Sequence, residues 1–346
     1  MTAKLKFGLG YDFRRPPGDG RAMADIYAET LDLIVYAEDL GFDYVMLTEH
    51  HFVEDGYSPS VAPIAAAIAA RTKKIRITSY VALLPFHNPL RLAEDIAVAD
   101  LISNGRVELG VGAGYRKAEF DGFNIDRAER GSRMDEGCEV MLKAWTEENW
   151  SFHGRHWTFN NITMHPKAVQ QPHPRLWISG RAPAPARRAG RFKAPLQLPP
   201  MPDIGPEAEQ ASYAAYCEAL WAQGADPADY PVMGMFGAVV TDNLSAVAAR
   251  MSDAVRWRRE LYAAWFTEVM DLAFDAEKHG KPSAEIRELS GAAGDPEAVI
   301  RGLEHYVGRG VPYSHIAIGG LHERFEEGGR NPQMENFIRY VAPHFR

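Results

Sequence analysis

The sequence predicts an α/β fold, a (β/α)8 TIM barrel with insertions, from three observations. Eight apolar segments of strand length are separated mostly by segments in which apolar residues recur at helical spacing. The first strands begin roughly 30 to 40 residues apart, which is the length of one βα unit. They are nearly continuous apolar runs, as in a parallel sheet covered on both faces. A doubly wound sheet with five strands and a second domain is the alternative.

The elements follow in order along the chain. The strands are expected at residues 5–11, 44–49, 75–85, 106–114, 175–180, 193–199, 232–240 and 314–320. Helical segments at 25–42, 58–73 and 89–103 separate the first four strands. Two regions interrupt this rhythm, an insertion at 146–174 and a lid insertion at 256–293. The whole chain, residues 1–346, is expected to form one domain.

Composition narrows the class of protein. The 346 residues include 46% hydrophobic residues, which are enough for a large core, and the formal net charge is −8. A negative chain lacks the Lys/Arg excess of a general nucleic-acid surface. Two cysteines make a disulfide scaffold or a cysteine-rich metal cluster improbable. With no signal peptide and no apolar run long enough to cross a membrane, a cytoplasmic protein is expected.

The segment "LTEHHF", residues 47–52, ends the second strand with three titratable side chains. In a barrel this end of each strand faces the active site. Alternation along a strand sends Glu49 and His51 to one side and His50 to the other, unless the strand ends before them. The alternative is purely structural: Glu49 forms an ion pair with a nearby Arg or Lys, and one histidine is packed in the core. A metal site is disfavoured because the HExxH spacing is absent, so no metal ligand is assigned.

Two glycine-containing turns are candidate anion sites. "GVGAGYRKAEF", residues 110–120, lacks the G-x-G-x-x-G spacing of a dinucleotide fold but would let the backbone approach a flat ligand or phosphate. Arg116 and Lys117 would add positive charge. "WISGRAPAPARRAG", residues 177–190, predicts a helix whose first turn offers N–H groups to a phosphate. The alternative for both segments is a tightly packed turn that binds no anion and whose arginine is exposed to solvent.

Four segments together resemble the bacterial-luciferase-like family of flavin-dependent monooxygenases, and they cover nearly the whole chain in the family's order. They are "GFDYVMLTEHHF", "LLPFHNPLRLAEDIAVADLISNGRVELGVGAGYRKAEF", "KAVQQPHPRLWISG" and "GDPEAVIRGLEHYVGRGV" followed by "ENFIRYVAPHFR". The first two segments are specific, and the others support them only in combination. The family fold is a TIM barrel with insertions, in agreement with the strand count.

The resemblance implies that reduced FMN binds at the strand ends, with a deazaflavin in sister groups. The catalytic histidine of the family matches His50, and its non-proline cis peptide falls at Tyr80–Val81. Implied cofactor contacts are Ser79, Tyr80, Val81, Gly112, Ala113, Gly114, Tyr115, Gly180, Arg181 and Ala182. The family's mobile lid corresponds to the region around Trp257, Tyr262 and Trp265, and a homodimer is expected.

The chain departs from luciferase itself at three places. Luciferase has cysteine at the position of Gly112, arginine at that of Ala113, and a Glu-Ser phosphate turn where this chain has Gly180–Arg181. Arg181 is expected to replace the missing charge, and light emission is not expected. Tyr11, Phe52 and Phe86 are expected to line an apolar substrate pocket, although aromatic residues near strand ends are often core.

The predicted activity is oxygenation of a small apolar, ketone- or aldehyde-like molecule with reduced FMN and O2. The sequence carries no NAD fingerprint, so a separate flavin reductase is expected to supply the reduced flavin as a transient partner. Two alternatives remain open: a deazaflavin-dependent dehydrogenase or reductase on the same fold, and a non-catalytic flavin-binding protein. A metal hydrolase is a distant further possibility.

Overall fold

The computed structural model describes residues 4–199, 206–247, 257–258, 260–262, 264–265, 292–320 and 329–346. Twelve strands lie within these residues. They are β1 (Lys6–Tyr11), β2 (Tyr44–Leu47), β3 (Arg76–Ser79), β4 (Ala82–Leu83), β5 (Leu109–Gly112), β6 (Trp150–His153), β7 (Thr158–Ile162), β8 (Leu176–Ser179), β9 (Leu196–Gln197), β10 (Val232–Val240), β11 (Ala292–Gly294) and β12 (His315–Gly320).

The longer helices alternate with these strands. They are α1 (Met23–Leu40), α2 (Val61–Arg71), α3 (Pro89–Ser103), α4 (Lys117–Gly122), α5 (Arg130–Thr146), α6 (Pro183–Arg191), α7 (Pro206–Trp221), α8 (Pro296–Val307) and α9 (Pro332–Asn336). Local chemistry sets their ends. Gly41, at φ +92°, ends α1 as a left-handed cap. Asn88 and Asp295 cap α3 and α8 with their side chains, and a proline follows each cap.

The strands close into a parallel barrel, as the sequence predicts. β1 pairs with β2 and β12, and the ring continues from β12 through β10, β9, β8 and β5 to β4. On the other side β2 pairs with β3. β3 and β4 are two halves of the single strand expected at 75–85. The cis peptide bond between Tyr80 and Val81 separates them.

The expected boundaries differ at several strands. β2 ends at Leu47, two residues before the predicted end, so Glu49 lies beyond the strand. β9 keeps only two of the seven residues predicted at 193–199. The insertion at 146–174 contains the antiparallel pair β6 and β7. The carboxylate of Glu136 on α5 accepts backbone N–H groups of Arg155 and His156, which fixes this hairpin against the barrel.

Side chains fill the barrel interior. A buried cluster at its centre consists of Tyr44, Met46, Trp177, Met233 and Ala317. The Nε1–H of Trp177 donates to Oε2 of Glu108 over 2.6 Å, so the carboxylate is satisfied within the barrel. His315, 6% exposed, lies with its ring centroid 5.2 Å from that of Trp177. The barrel is therefore a packed core, and ligands are restricted to its ends.

His315 makes stability depend on pH. Burial, aided by Lys6, Arg175 and Arg76, lowers the pKa of His315 to about 3. In the unfolded chain an imidazole binds a proton below about pH 6.5, whereas the buried ring stays neutral. The unfolding free energy is therefore expected to fall as the pH drops from about 6.5 towards 3, by up to about 1.4 kcal/mol per pH unit.

Denaturant unfolding of wild type and His315→Gln at several pH values measures this dependence. The variant is expected to flatten the decline between about pH 6.5 and 4. His153→Gln, at an exposed position on β6, is the matched control and should leave the slope unchanged. Equal slopes for wild type and His315→Gln would contradict the assignment.

Candidate functional site

The polar segment after β2 lies at the carboxyl end of the barrel. Glu49, His50 and His51 are 2%, 7% and 9% exposed, so all three are buried despite their charge or polarity. Nε2 of His51 lies 2.9 Å from Oε1 of Glu49, which places these two side chains together. His50 points to a different set of neighbours. Because β2 ends at Leu47, the condition for alternation is not met, and the separation of His50 from Glu49 and His51 arises from the path of the loop.

Glu119 on α4 holds His50. The side chain of Glu119 is fully buried, and its Oε1 lies 2.8 Å from Nδ1 of His50. The same oxygen accepts the backbone N–H of His51 over 3.0 Å and Nη1 of Arg116 over 3.2 Å. Because the oxygen of a carboxylate can only accept, Nδ1 of His50 carries the proton in this contact.

The other nitrogen of His50 faces the barrel mouth. Nε2 lies 3.4 Å from the hydroxyl of Tyr115. Rings of Tyr57 and Trp265 surround the imidazole, each with its centroid 4.8 Å away. With Nδ1 bonded to Glu119, Nε2 is the nitrogen that can exchange a proton with a bound molecule. An acceptor that orients a histidine in this way is the arrangement expected of a general base or acid.

Glu49 forms a separate polar cluster on the other side of the segment. Its Oε1 accepts from Nε2 of His51 and Nε2 of His87, both over 2.9 Å. Burial alone would raise the pKa of Glu49, but these two contacts outweigh it and lower the pKa. Burial would likewise lower the pKa of His87, and the adjacent Glu49 carboxylate raises it instead. The two shifts favour an ion pair between the buried carboxylate of Glu49 and the partly exposed imidazole of His87.

The predicted substrate residues do not surround His50. Phe52 is 61% exposed and Phe86 is stacked on Phe123 with centroids 4.9 Å apart. Both rings contact His51, at centroid distances of 5.9 Å. Tyr11 is 4% exposed and packs in the main core at the end of β1. A substrate role for these three residues stays a prediction.

The β3–β4 junction contains the predicted cis peptide, Tyr80–Val81. Ser79 ties the junction to β5, because its hydroxyl donates to the carbonyl of Gly110 over 2.7 Å and accepts from the N–H of Gly110. The hydroxyl of Tyr80 is buried and has no hydrogen-bond partner within the part of the chain that the structure describes. It is available to a polar ligand atom.

The glycines of the loop after β5 have mainly a packing role. A Cβ on Gly112 would lie 2.5 Å from Cγ2 of Val81, so only glycine allows Val81 to pack there. Gly114 has φ +71°, a conformation that side-chain-bearing residues rarely adopt. Ala113 lies between them and is partly exposed. These observations explain the Gly112-x-Gly114 pattern without requiring a ligand.

The turn after β8 brings Arg181 to the same region. A Cβ on Gly180 would lie 2.8 Å from Cα of Ala186, so glycine allows the close approach of α6. Ala182, the residue immediately before that helix, is exposed. Burial lowers the pKa of Arg181, while the hydroxyls of Tyr80, Tyr115 and Tyr262 partly offset that effect. Arg181 thus interacts electrostatically with Tyr80 and Tyr115, which belong to two other segments predicted as cofactor contacts.

The described part of the 257–265 helical segment covers His50. The guanidinium of Arg14 lies 4.3 Å from the centre of the Trp257 ring. The hydroxyl of Tyr262 lies 2.9 Å from that of Tyr57. Trp265 contacts His50 and also stacks on Arg116, whose guanidinium is 4.2 Å from the ring centre. The remainder of the predicted 256–293 lid, apart from residues 292–293, lies outside the described residues.

Sequence reasoning missed Glu119 and Arg14. Glu119 lies within the segment "YRKAEF", but no spacing rule pairs it with a histidine 69 positions earlier. Arg116 was expected to add positive charge, and it contacts Glu119 and the carbonyl of His51. Lys117, its predicted companion, is exposed and pairs with Asp121. The neighbouring residues of "YRKAEF" therefore separate into buried and solvated positions.

The residues that the structure describes contain no group of three or more His, Cys, Asp or Glu side chains arranged to hold a metal ion. None of the helices in these ranges is long and apolar enough to cross a membrane.

A family model described as "Luciferase-like monooxygenase" matches residues 6–312, which is most of the chain. The chain belongs to the luciferase-like monooxygenase family. The resemblance read from the sequence motifs is confirmed, and the parallel barrel with its polar strand ends agrees with it.

Curated relatives of this family member include oxidoreductases of two cofactor types. The oxygenase component of the flavin-dependent trigonelline monooxygenase of Acinetobacter baylyi is 28% identical over 52% of the chain and 50% of that protein. The FMNH2-dependent dimethylsulfone monooxygenase of Pseudomonas putida is 32% identical over 45% and 44%. The F420-dependent glucose-6-phosphate dehydrogenase of Amycolatopsis mediterranei is 32% identical over 46% and 50%. The chain spans about half the length of the curated relatives it matches.

Solved structures match over the full length. The monooxygenase RslO1 from Streptomyces bottropensis has a TM-score of 0.83 and 26% identity, with 99% of this chain and 100% of that chain covered. The oxygenating constituent of 3,6-diketocamphane monooxygenase from Pseudomonas putida, solved with FMN, has a TM-score of 0.80 and 19% identity, with 99% of each chain covered. The second likeness establishes a shared fold alone.

Glu49→Gln is expected to lower the unfolding free energy by about 2–4 kcal/mol, because it leaves the N–H groups of the buried His51 and the partly exposed His87 without their anionic acceptor. Glu49 contributes above its unfolded pKa of about 4.3, and His87 contributes below its unfolded pKa of about 6.5. The difference between variant and wild type should therefore be largest between those two values. It should shrink at lower pH as the carboxyl is protonated, and at higher pH as His87 loses its proton.

Denaturant unfolding of both proteins across this range checks the expectation. Glu54→Gln, at an exposed position five residues along, is the matched control and should change stability little. A loss that is independent of pH would show that the Glu49 cluster is not the ion pair described.

Proposed function

We propose that the chain is the oxygenase component of a two-component, FMN-dependent monooxygenase. A separate flavin reductase would supply reduced FMN as a transient partner, and O2 would be the oxidant. The substrate class is a small apolar molecule of ketone- or aldehyde-like character. The observation that carries this proposal is the contact between Glu119 and His50, which directs Nε2 of His50 into the barrel mouth. Membership of the family supports the flavin chemistry.

The residues at the strand ends fit a flavin with an anionic tail. Arg181 is a half-buried cation whose pKa is lowered by burial, and a phosphate beside it would offset the cost. The buried hydroxyl of Tyr80 could donate to a ring atom. The proposed contacts are the predicted ones, namely Ser79, Tyr80, Val81, Gly112, Ala113, Gly114, Tyr115, Gly180, Arg181 and Ala182.

Each residue then has a defined task. Bound reduced FMN would supply the electrons for activation of O2. His50 would accept or donate a proton at Nε2, with Glu119 fixing the ring and stabilising its protonated form. Tyr115 would share that proton through its hydroxyl, 3.4 Å away. Tyr262 and Trp265, which pack over His50 at centroid distances of 6.3 and 4.8 Å, would exclude water from the mouth.

The decisive experiment compares two cofactors and two variants. Reduced FMN and reduced F420 are titrated into the anaerobic protein, and O2 uptake is then followed with a panel of small ketones and aldehydes. The proposal expects tighter binding of FMN and substrate-dependent O2 uptake. His50→Ala should retain FMN affinity and lose at least about 100-fold in turnover, because one general acid–base group is worth that factor or more.

The same measurements separate the rival functions. Preference for F420 without O2 uptake would support a deazaflavin-dependent dehydrogenase or reductase, a possibility that the F420-dependent relatives keep open. FMN binding with no substrate-coupled O2 uptake would support a flavin-binding protein without catalysis. His153→Ala, on the exposed hairpin, is the control for the loss of a histidine. Unchanged turnover in His50→Ala would remove His50 from the mechanism.

We also propose a homodimer that buries the outer face of α3. Val98, Leu101 and Ile102 are 43%, 42% and 49% exposed and lie at i, i+3 and i+4 spacing, so they form one apolar stripe. Exposed contiguous apolar surface of this kind marks association sites in soluble proteins.

Ile102→Asp is expected to convert the dimer to monomer, because a carboxylate buried in an apolar interface has no partner. Light scattering coupled to size exclusion measures the mass against the 38.5 kDa of one chain. Trp221→Asp, at an exposed apolar position at the end of α7, should leave the mass unchanged. A monomeric wild-type protein would contradict the dimer.

A further inference from the structure

A cavity of about 610 Å³ lies beside the His50 site. Its walls include residues from the loop after β1, from the segment after His51 and from the 257–265 helical segment. Trp265 lines the cavity, and its ring also contacts the imidazole of His50, with centroids 4.8 Å apart, and the guanidinium of Arg116, 4.2 Å from the ring centre. A molecule in this cavity would therefore contact a residue that also packs against the group proposed to move protons.

Arg116 gives the cavity a cationic wall. The residue is only 7% exposed, yet it lines the cavity. Its Nη1 donates to the carbonyl of His51 over 2.7 Å and to Glu119 over 3.2 Å. Its Nε is buried and has no hydrogen-bond partner among the described residues. A guanidinium offers five N–H donors in a fixed fork, so most of the donating capacity of Arg116 is uncommitted.

The acidic residues of the cavity wall are mostly neutralised by other cations. Asp55 accepts from Nε and Nη2 of Arg14 over 3.1 and 2.7 Å, and Arg14 is itself buried. Asp19 accepts from Arg21 in a similar forked contact. Glu54 is exposed at the rim, and a second cation, Arg15, lines the same rim. Two of the three carboxylates of the wall, Asp19 and Asp55, are thus already paired, and the third, Glu54, is exposed to solvent.

Aromatic rings form much of the remaining wall. Phe52, Trp257 and Trp265 line the cavity, together with aliphatic and proline side chains. Flat rings favour planar ligands by stacking, and the Trp265–Arg116 contact shows that a ring can lie against this guanidinium. The uncommitted N–H edge would meanwhile remain available to an oxyanion.

We propose that this cavity binds a planar aromatic carboxylate, with the carboxylate at the N–H edge of Arg116 and the ring between Trp257, Trp265 and Phe52. The site specifies the substrate class of the proposed monooxygenase and rests on that proposal for its catalytic meaning. The binding step itself needs no flavin. It adds an acidic group to the apolar, carbonyl-containing class expected from the sequence.

The test is calorimetric titration of the full-length protein, without flavin, with 2-naphthoate and with 2-naphthamide. The two probes have the same ring and differ in charge. Wild type is expected to bind naphthoate about tenfold more tightly, the usual effect of one charge-assisted hydrogen-bond pair. Arg116→Met should remove this preference and leave naphthamide affinity nearly unchanged. Lys117→Met, which deletes the neighbouring exposed positive charge, should keep the preference.

Several outcomes would overturn the proposal. Equal affinities for the two probes in wild type would do so without reference to any variant. A preference that survives in Arg116→Met would place the anion elsewhere. If Arg116→Met lowers the affinities for both probes equally, Arg116 only positions Glu119. In that case Arg116→Lys should restore neither affinity. If Arg116 is the anchor, Arg116→Lys should retain part of the preference for naphthoate.

The proposed function and this inference fail separately. A preference for naphthoate in a protein that shows no flavin-dependent O2 uptake would leave the binding site in place and remove the monooxygenase. Substrate-dependent O2 uptake with neutral ketones, in a protein that binds the two probes equally, would support the monooxygenase and remove the carboxylate site.

Discussion

One oxygen atom of a buried carboxylate holds the site together. Oε1 of Glu119 accepts from the imidazole of His50, from the backbone N–H of His51 and from the guanidinium of Arg116. These contacts join the segment after β2 to the first turn of α4, two regions 69 positions apart. A buried carboxylate is costly unless charge-assisted hydrogen bonds offset its desolvation. The position of His50 is therefore coupled to the integrity of this whole group.

The barrel provides the setting that makes such a group useful. Its interior is filled by Tyr44, Met46, Trp177, Met233 and Ala317, so the polar segments can gather only beyond the strand ends. Ser79 fastens β3 to β5 next to the Tyr80–Val81 peptide, and Gly112 leaves room for Val81. His50, Tyr115 and Arg181 lie in the segments that follow β2, β5 and β8 at this end of the barrel.

Much of the fold could be predicted from the sequence because parallel strands buried on both faces leave a strong signal. Apolar runs at βα-unit spacing predicted the barrel. His50 is separated from Glu49 and His51, but β2 ends at Leu47, so strand alternation does not account for that separation. The contact between Glu119 and His50 could not be predicted, since it depends on how α4 folds back over the end of β2. Phe52 and Phe86 were predicted from residue type alone, and both pack around His51.

The glycines illustrate a second limit. Gly112 and Gly180 were interpreted as places where backbone approaches a phosphate, but a Cβ at either position would collide with a neighbouring protein atom. Glycine is required where a side chain would collide with the protein, and also where the backbone must approach a ligand. The sequence shows the same residue in both cases. Arg116 shows the converse, because its burial and partly unused guanidinium are visible only once the cavity beside it is known.

Glu119 fixes the proton of His50 on Nδ1 and leaves Nε2 free to act. Long-range 15N–1H NMR of histidine-labelled protein in alkaline buffer, where imidazoles are neutral, reads the tautomer of each ring directly. His50 is expected to be protonated at Nδ1 in the wild type and to lose that preference in Glu119→Ala. Protonation of His50 at Nε2 in the wild type would contradict this assignment.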